Sequence, residues 1–159
     1  MQITVESREP ARVAADLLAI PLFKLDPRHW KVPARLAGLD RALGGRLSAA
    51  DPSGDFLGKR GETLLLHADA GAPSRRVLLV GLGEEDGVDV EALRRAAGSA
   101  VGAALARRAR KVALLVPPLR RVRPPVQAQA VAEGACLAGY RFDRHRTRHE
   151  EPTATVESF

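Results

Sequence analysis

The residues of this sequence that could carry chemistry are few and lie far apart. Gly81-Leu82-Gly83 follows an apolar run, which is how loops that hold a dinucleotide pyrophosphate begin. The third glycine of that fingerprint is missing, and the carboxylates Glu84, Glu85 and Asp86 come next. Because these carboxylates repel a pyrophosphate, we interpret the segment as a tight turn at the end of a strand.

Two histidines have the spacing of metal ligands. His145 and His149 are four residues apart, which places two side chains on one face of a helix. Four arginines surround them and disfavour a bound cation, and a catalytic zinc site needs a third ligand. We interpret this segment as solvated and polar, and we assign no metal ligand in it.

The candidate nucleophiles lack the surroundings that would activate them. Cys136 lies beside Ala135 in a predicted helix, which is typical of a small buried hydrophobe. Ser48, Ser53 and Ser74 fall in predicted loops without the Gly-x-Ser-x-Gly frame of a hydrolase. The sequence therefore predicts no catalytic residue and no cofactor-binding residue.

Charged side chains around residues 48–62 form another candidate group. Asp40, Asp55, Lys59 and Glu62 are close in sequence and are expected to form ion pairs that shape a loop. Their spacing does not indicate general acid–base catalysis.

The chain is basic, with 25 Lys and Arg against 19 Asp and Glu, a net charge of +6. Such a charge permits contact with phosphates but does not require it. No aromatic residues alternate with the basic ones, so stacking on bases is not expected. The basic residues form three clusters: Arg107, Arg108, Arg110 and Lys111; Arg120, Arg121 and Arg123; and Arg141, Arg144, Arg146 and Arg148.

The elements that must position these residues follow from the apolar pattern. Alternating or continuous apolar runs predict strands at 2–6, 17–22, 62–67, 76–81 and 111–116. Spacings of three and four predict helices at 9–16, 34–47, about 90–110 and about 126–140. Asp89 is the expected N-cap of the third helix, whose last turn would hold Arg107, Arg108 and Arg110. Pro21 is expected at the end or the edge of its strand. The order of these elements predicts an α/β layered fold.

Length and composition agree with one soluble domain. The 159 residues are enough for a single core, and no stretch reaches the ~20 apolar residues of a membrane span. We expect no secretory signal, and the single cysteine is typical of a reducing compartment.

Several segments, taken in order, resemble the amino-terminal domain of the M17 leucyl aminopeptidases, the cytosol aminopeptidases. The resemblance runs from about residue 2 to 148. It is carried by residues 39–47 (LDRALGGRL), 55–62 (DFLGKRGE), 76–83 (RVLLVGLG), 93–98 (LRRAAG) and 132–143 (AEGACLAGYRFD).

The resemblance implies a three-layer α/β/α sandwich with a mixed sheet, similar to macro domains, in a cytoplasmic protein that is usually a hexamer. Family enzymes release amino-terminal residues from peptides with two divalent metals, zinc or manganese. The metal ligands and the catalytic Lys and Arg belong to a carboxy-terminal domain, in motifs resembling Asp-Ser-Gly-Gly and Asn-Thr-Asp-Ala-Glu-Gly-Arg. Neither motif occurs in this sequence. No catalytic, metal or cofactor-binding residue is therefore carried over to this chain.

We accordingly predict that residues 1–148 form the amino-terminal domain and that 149–159 are a linker toward a catalytic domain. The expected role is assembly and shaping of access to that domain, in a homo-oligomer, and the chain alone is expected to be inactive. Two alternatives stay open. One is a DNA-binding module, since some bacterial relatives also bind DNA. The other is binding of an ADP-ribose-type ligand near Gly81–Gly83, which rests on the macro-like fold alone.

Overall fold

The computed structural model describes residues 1–26, 31–50, 54–69, 71–140 and 154–159. Its strands are β1 (Leu17–Phe23), β2 (Thr63–His67), β3 (Arg76–Gly83) and β4 (Val112–Leu114). Its helices are α1 (Ala37–Ala42), α2 (Arg46–Ala50), α3 (Val90–Ala106) and α4 (Pro124–Gly139). Short 3₁₀ turns cover Pro10–Arg12, Ala34–Leu36 and Glu85–Gly87.

The four strands form one sheet in the order β2-β3-β1-β4. β1 pairs in parallel with both β3 and β4, while β2 and β3 form an antiparallel pair. The predicted mixed sheet is therefore confirmed. β1 is buried on both faces, as its continuous apolar run predicted.

Pro21 lies inside β1, where a proline would normally remove a ladder hydrogen bond. The backbone N–H of Leu17 donates to Lys111 of the β4 side, so position 21, four residues on, also faces that side. Pairing of β1 with β4 ends at Ala19. Pro21 therefore faces a local edge of the sheet, in agreement with the prediction.

Helices cover both faces of the sheet. Leu17, Ala19 and Val80 belong to a core with α3 and α4, whereas Leu18 and Leu79 belong to a core with α1 and α2. Alternate residues of the same strands thus serve opposite layers, which makes the three-layer α/β/α arrangement. This confirms the predicted fold class.

The predicted helix 34–47 is divided in the structure. α1 and α2 are separated at Gly44 and Gly45, whose φ angles of 62° and 78° suit glycine. The Asp40 carboxylate accepts the Leu47 N–H at 2.9 Å, which caps the start of α2. The helix predicted at 9–16 is wrong, since that segment contains only the 3₁₀ turn Pro10–Arg12.

α3 begins as predicted but ends earlier. Asp89 accepts the Ala92 N–H at 2.9 Å and so is the N-cap. The helix ends at Ala106, so the expected position of Arg107, Arg108 and Arg110 in its last turn is wrong. Arg107 nevertheless donates to the Ala103 carbonyl at 3.2 Å and satisfies one of the terminal acceptors.

α3 and α4 lie side by side and run in the same direction, since Gly134 of α4 meets Arg94 of α3 and Ala138 meets Gly98. The closest approach is at Gly134, where a Cβ would lie 2.7 Å from the Arg94 Cα and nearer still to its carbonyl oxygen. The Arg94 Nε donates to the Glu133 carboxylate at 2.7 Å beside this contact. At Gly98 and Gly102 of α3, by contrast, a Cβ fits without strain.

The two chain ends add to the sheet beyond β4. Ser158 forms parallel bridges with Lys111 on one side and Gln2 on the other, although residues 2–6 form no regular strand. Val156 and Phe159 are buried in the core. Residues 154–159, which belong to the predicted linker, therefore pack against the sheet. The boundary predicted after residue 148 lies outside the described residues.

The Asp16 side chain binds the backbone at Arg110 and Lys111, where the bridge to Ser158 is formed. Its carboxylate accepts the backbone N–H groups of Lys111 at 2.9 Å and Arg110 at 2.8 Å. The hydrogen bond from Lys111 is the main reason that the pKa of Asp16 lies below its usual value. This contribution to stability is present above the unfolded-state pKa and is lost as the pH falls through the lowered value.

Candidate functional site

The carboxyl end of β3 carries the glycine turn that the sequence singled out. The Gly81 N–H donates to the Glu62 carbonyl at 2.8 Å, and the Gly83 N–H donates to the Gly58 carbonyl at 3.0 Å. Both donors are therefore already used within the protein. The neighbouring cavity, lined in part by Arg60 and Gly81, holds only about 20 Å³. The two glycines thus offer no free N–H group to a pyrophosphate, and the cavity beside them is too small to hold one.

The 54–62 loop covers this strand end, and a carboxylate holds the loop in shape. Glu62 accepts the backbone N–H groups of Leu57 at 3.0 Å and Lys59 at 2.9 Å. The Asp40 carboxylate likewise accepts a hydrogen bond from a backbone N–H group, that of Leu47 in α2, and it accepts another from the Ser48 hydroxyl. Glu62 therefore shapes the loop through hydrogen bonds from backbone N–H groups, where the sequence predicted ion pairs.

The serines have structural roles where they are described. Ser74 is buried, and its hydroxyl donates to the Val13 carbonyl at 2.7 Å and accepts the Ala15 N–H at 3.3 Å. It therefore joins the N-terminal segment to the turn before β3. Ser53 lies outside the described residues.

The prediction that Cys136 is buried is wrong, because the side chain of Cys136 is exposed. The next residue, Leu137, is 73% exposed, and Tyr140, one helical turn on, is 71% exposed. We call Cys136, Leu137 and Tyr140 the α4 apolar patch. Sequence reasoning missed this patch because α4 is rich in alanine on all sides, so its buried face has no distinct apolar stripe.

No group of three or more His, Cys, Asp or Glu side chains that could hold a metal ion occurs within 1–26, 31–50, 54–69, 71–140 and 154–159. His145 and His149 lie outside these ranges. The described side chains therefore do not fit the pair of divalent metals that the resemblance implies.

The arginine clusters differ in their surroundings. Arg110 pairs with Glu157 at 3.2 Å. Arg120, Arg121 and Arg123 are exposed in the segment before α4, and they form no ion pair with any described residue. The third cluster, at 141–148, lies outside the described residues.

A family model described as the cytosol aminopeptidase family, N-terminal domain, matches residues 26–149. The chain belongs to this family. A probable cytosol aminopeptidase of Acidobacterium capsulatum is 34% identical over 158 residues, which cover 95% of this chain and 31% of the relative. One of Trichormus variabilis is 33% identical over 99% of this chain and 31% of its own length. The chain thus spans less than a third of the length of these relatives.

Solved structures agree with the family assignment. A tomato leucine aminopeptidase mutant superposes with a TM-score of 0.80 at 28% identity, over 99% of this chain and 31% of that protein. The bottromycin maturation enzyme BotP, solved in complex with Mn, gives a TM-score of 0.62 at 27% identity, over 92% of this chain and 27% of BotP. The macrodomain of Mycobacterium tuberculosis DarG gives 0.60 at 13% identity, over 86% of this chain and 89% of that one, which shows a shared fold.

Among the described residues, no helix is long and apolar enough to cross a membrane.

Proposed function

We propose that this chain is the non-catalytic amino-terminal domain of a cytoplasmic metallo-aminopeptidase, an enzyme that removes amino-terminal residues from peptides. In this proposal the domain serves assembly and shapes access to a separate catalytic domain, which holds two divalent metals, zinc or manganese. The proposal extends the family assignment to activity and role. It is consistent with the sequence, which lacks both metal-binding motifs of the family's catalytic domain.

The α4 apolar patch is the observation that supports an assembly role. Leu137 and Tyr140 are each more than two-thirds exposed, and they lie three residues apart at the C-terminal end of α4, where Tyr140 is the C-cap. Large apolar side chains that cluster on a surface are typical of a protein contact. The patch lies at the end of α4, which the resemblance identifies as the last helix of this domain, leading toward the catalytic domain. Contacts with that domain or with other copies would cover it.

The first expected result concerns activity. We expect the purified 159-residue chain to release no aminoacyl chromophore with Mn²⁺ or Zn²⁺, because the described side chains form no site for a pair of metals. The measurement is a chromogenic aminopeptidase assay with and without metal, with a full-length family enzyme as the positive control. Metal-dependent release by the 159-residue chain would contradict the proposal.

The second expected result concerns self-association. We expect the chain to form oligomers in sedimentation equilibrium, and Leu137→Glu to weaken their association at least about tenfold, since it places a charge in an apolar contact. The control is Thr63→Glu, which adds the same charge at an exposed position on the opposite edge strand. Equal association of the two variants and the unmodified chain would argue against a role of the patch.

The second candidate function is nucleic-acid binding, and the exposed Arg120, Arg121 and Arg123 favour it. Arginines without acidic neighbours are free to neutralise phosphates. The test is binding to a DNA duplex over a range of salt concentrations. Changing all three to glutamine should reduce the slope of log K against log salt by about 3. An absence of binding at low salt would remove this candidate.

A further inference from the structure

A buried glutamine holds the turn that precedes α4. The side chain of Gln127 is 5% exposed, and its Nε2 donates to the Val122 carbonyl at 2.6 Å and to the Leu119 carbonyl at 3.2 Å. The Val122 N–H donates to the same Leu119 carbonyl at 3.4 Å, which closes residues 119–122 as a β-turn. The buried amide therefore binds both ends of this turn from the protein side.

The turn places an apolar residue against the core and arginines in solvent. Leu119 packs against the core that contains α3 and α4. Arg120 and Arg121 occupy the two central positions of the turn, and Arg123 follows as the N-cap residue of α4. All three arginines are exposed. We call residues 119–123 the arginine turn.

The positive charge of the arginine turn is not balanced locally. The N-terminal end of a helix has a partial positive charge, which attracts anions and repels cations. The first turn of α4 has no acidic residue. Within the described ranges of the chain, Arg120, Arg121 and Arg123 form no ion pair. A bound anion would relieve the repulsion between these arginines and the end of the helix.

Such an anion would be held by guanidinium groups, because the backbone at this helix start offers it no N–H. Pro124 and Pro125 have none, and the N–H groups of Val126 and Gln127 both donate to the Arg123 carbonyl, at 3.0 and 3.1 Å. A guanidinium forms paired hydrogen bonds with phosphate oxygens. The arginine turn contains no aromatic side chain on which a base could stack. These features favour successive phosphates recognised by charge and spacing alone.

We propose that the arginine turn is a site for a chain of phosphate groups, and that Gln127 is the positioning residue that preorganises it. Nucleic-acid strands and inorganic polyphosphate share this ligand chemistry. The proposal deepens the nucleic-acid candidate above and rests on the same three arginines. Without the hydrogen bonds from Gln127, the turn must be ordered when the ligand binds, and the cost of ordering reduces the affinity.

The experiment measures binding of inorganic polyphosphate and of a DNA duplex over a range of salt concentrations. Gln127→Met keeps an unbranched side chain of similar length but removes the hydrogen-bond donor. Gln129→Met is the matched control, since Gln129 is exposed on the same helix and donates to Glu133 at 2.7 Å. Circular dichroism verifies folding of each variant. If Gln127→Met does not fold, Gln127→Asn replaces it, because this amide is one methylene shorter and cannot reach both carbonyls of the turn.

We expect Gln127→Met to weaken polyphosphate binding about tenfold at every salt concentration, while Gln129→Met binds like the unmodified chain. The slope of log K against log salt should stay unchanged, because the ordered turn still contacts the same phosphates. Equal affinities of the two variants for both ligands would overturn the proposal and leave the nucleic-acid candidate standing. An absence of polyphosphate binding at low salt would also overturn it. Gln127-dependent binding of polyphosphate without binding of the duplex would support it and remove the nucleic-acid candidate.

Discussion

Replacing Gly134 by alanine is expected to lower the stability of the fold markedly. The added Cβ would lie 2.7 Å from the Arg94 Cα and 2.8 Å from its carbonyl carbon, so the backbones of α3 and α4 must separate. Overpacking of this kind costs about 1–3 kcal/mol, and separation also disturbs the hydrogen bond from Arg94 to Glu133. Because alanine favours a helix over glycine by about 1 kcal/mol, we expect a net loss of up to about 2 kcal/mol. For a chain of this length, a loss of about 2 kcal/mol lowers the melting temperature by about 4–8 °C.

Gly98→Ala is the matched control, because Gly98 lies on α3 and faces the same interface. Its Cβ would meet the Ala138 Cβ at 3.8 Å, an ordinary contact. The helix propensity of alanine should therefore stabilise this variant by up to about 1 kcal/mol. Thermal unfolding followed by circular dichroism compares the two variants. If both moved the melting temperature in the same direction, the close approach of α3 and α4 at Gly134 would be contradicted.

The strands and layers could be predicted from the sequence where burial is complete. The run at 17–22 contains no charged residue, and such runs are typical of a strand covered on both faces. Asp89 before the periodic stretch of α3 likewise marks a helix start by local chemistry. The family motifs then supplied the mixed sheet and the three layers, which periodicity alone does not determine.

The remaining features depend on contacts between residues far apart in the chain. The glycine that α3 approaches most closely is Gly134, and no local pattern distinguishes it from Gly98 or Gly102. The role of Ser74 depends on Val13, which lies 61 residues away. Exposure of Cys136 was missed for a related reason, since an alanine-rich helix can bury any of several faces.

Replacing Gly81 by alanine is expected to destabilise the protein about as strongly as the change at Gly134. Gly81 is at the end of β3, where the loop backbone at Gly58 and Lys59 crosses directly above it. A Cβ at this position would lie 2.7 Å from the Gly58 carbonyl carbon and closer still to the Lys59 carbonyl oxygen. The loop must then move away, which strains the hydrogen bonds that join it to Gly81 and Gly83. We expect a loss of about 2–3 kcal/mol, measured by urea unfolding.

Gly87→Ala is the control for this prediction, since Gly87 follows the same strand. A Cβ added at Gly87 would have an Arg60 side-chain nitrogen as its nearest neighbour, at 3.9 Å, which is an ordinary contact. Its effect should remain within about 0.5 kcal/mol. The outcome also bears on the glycine turn as a ligand site. If Gly81→Ala were as stable as the unmodified chain, the loop would not be packed on the strand end, and the turn would be open to a ligand. A large loss confined to Gly81→Ala would instead mean that glycine is needed at this position for the protein's own backbone packing.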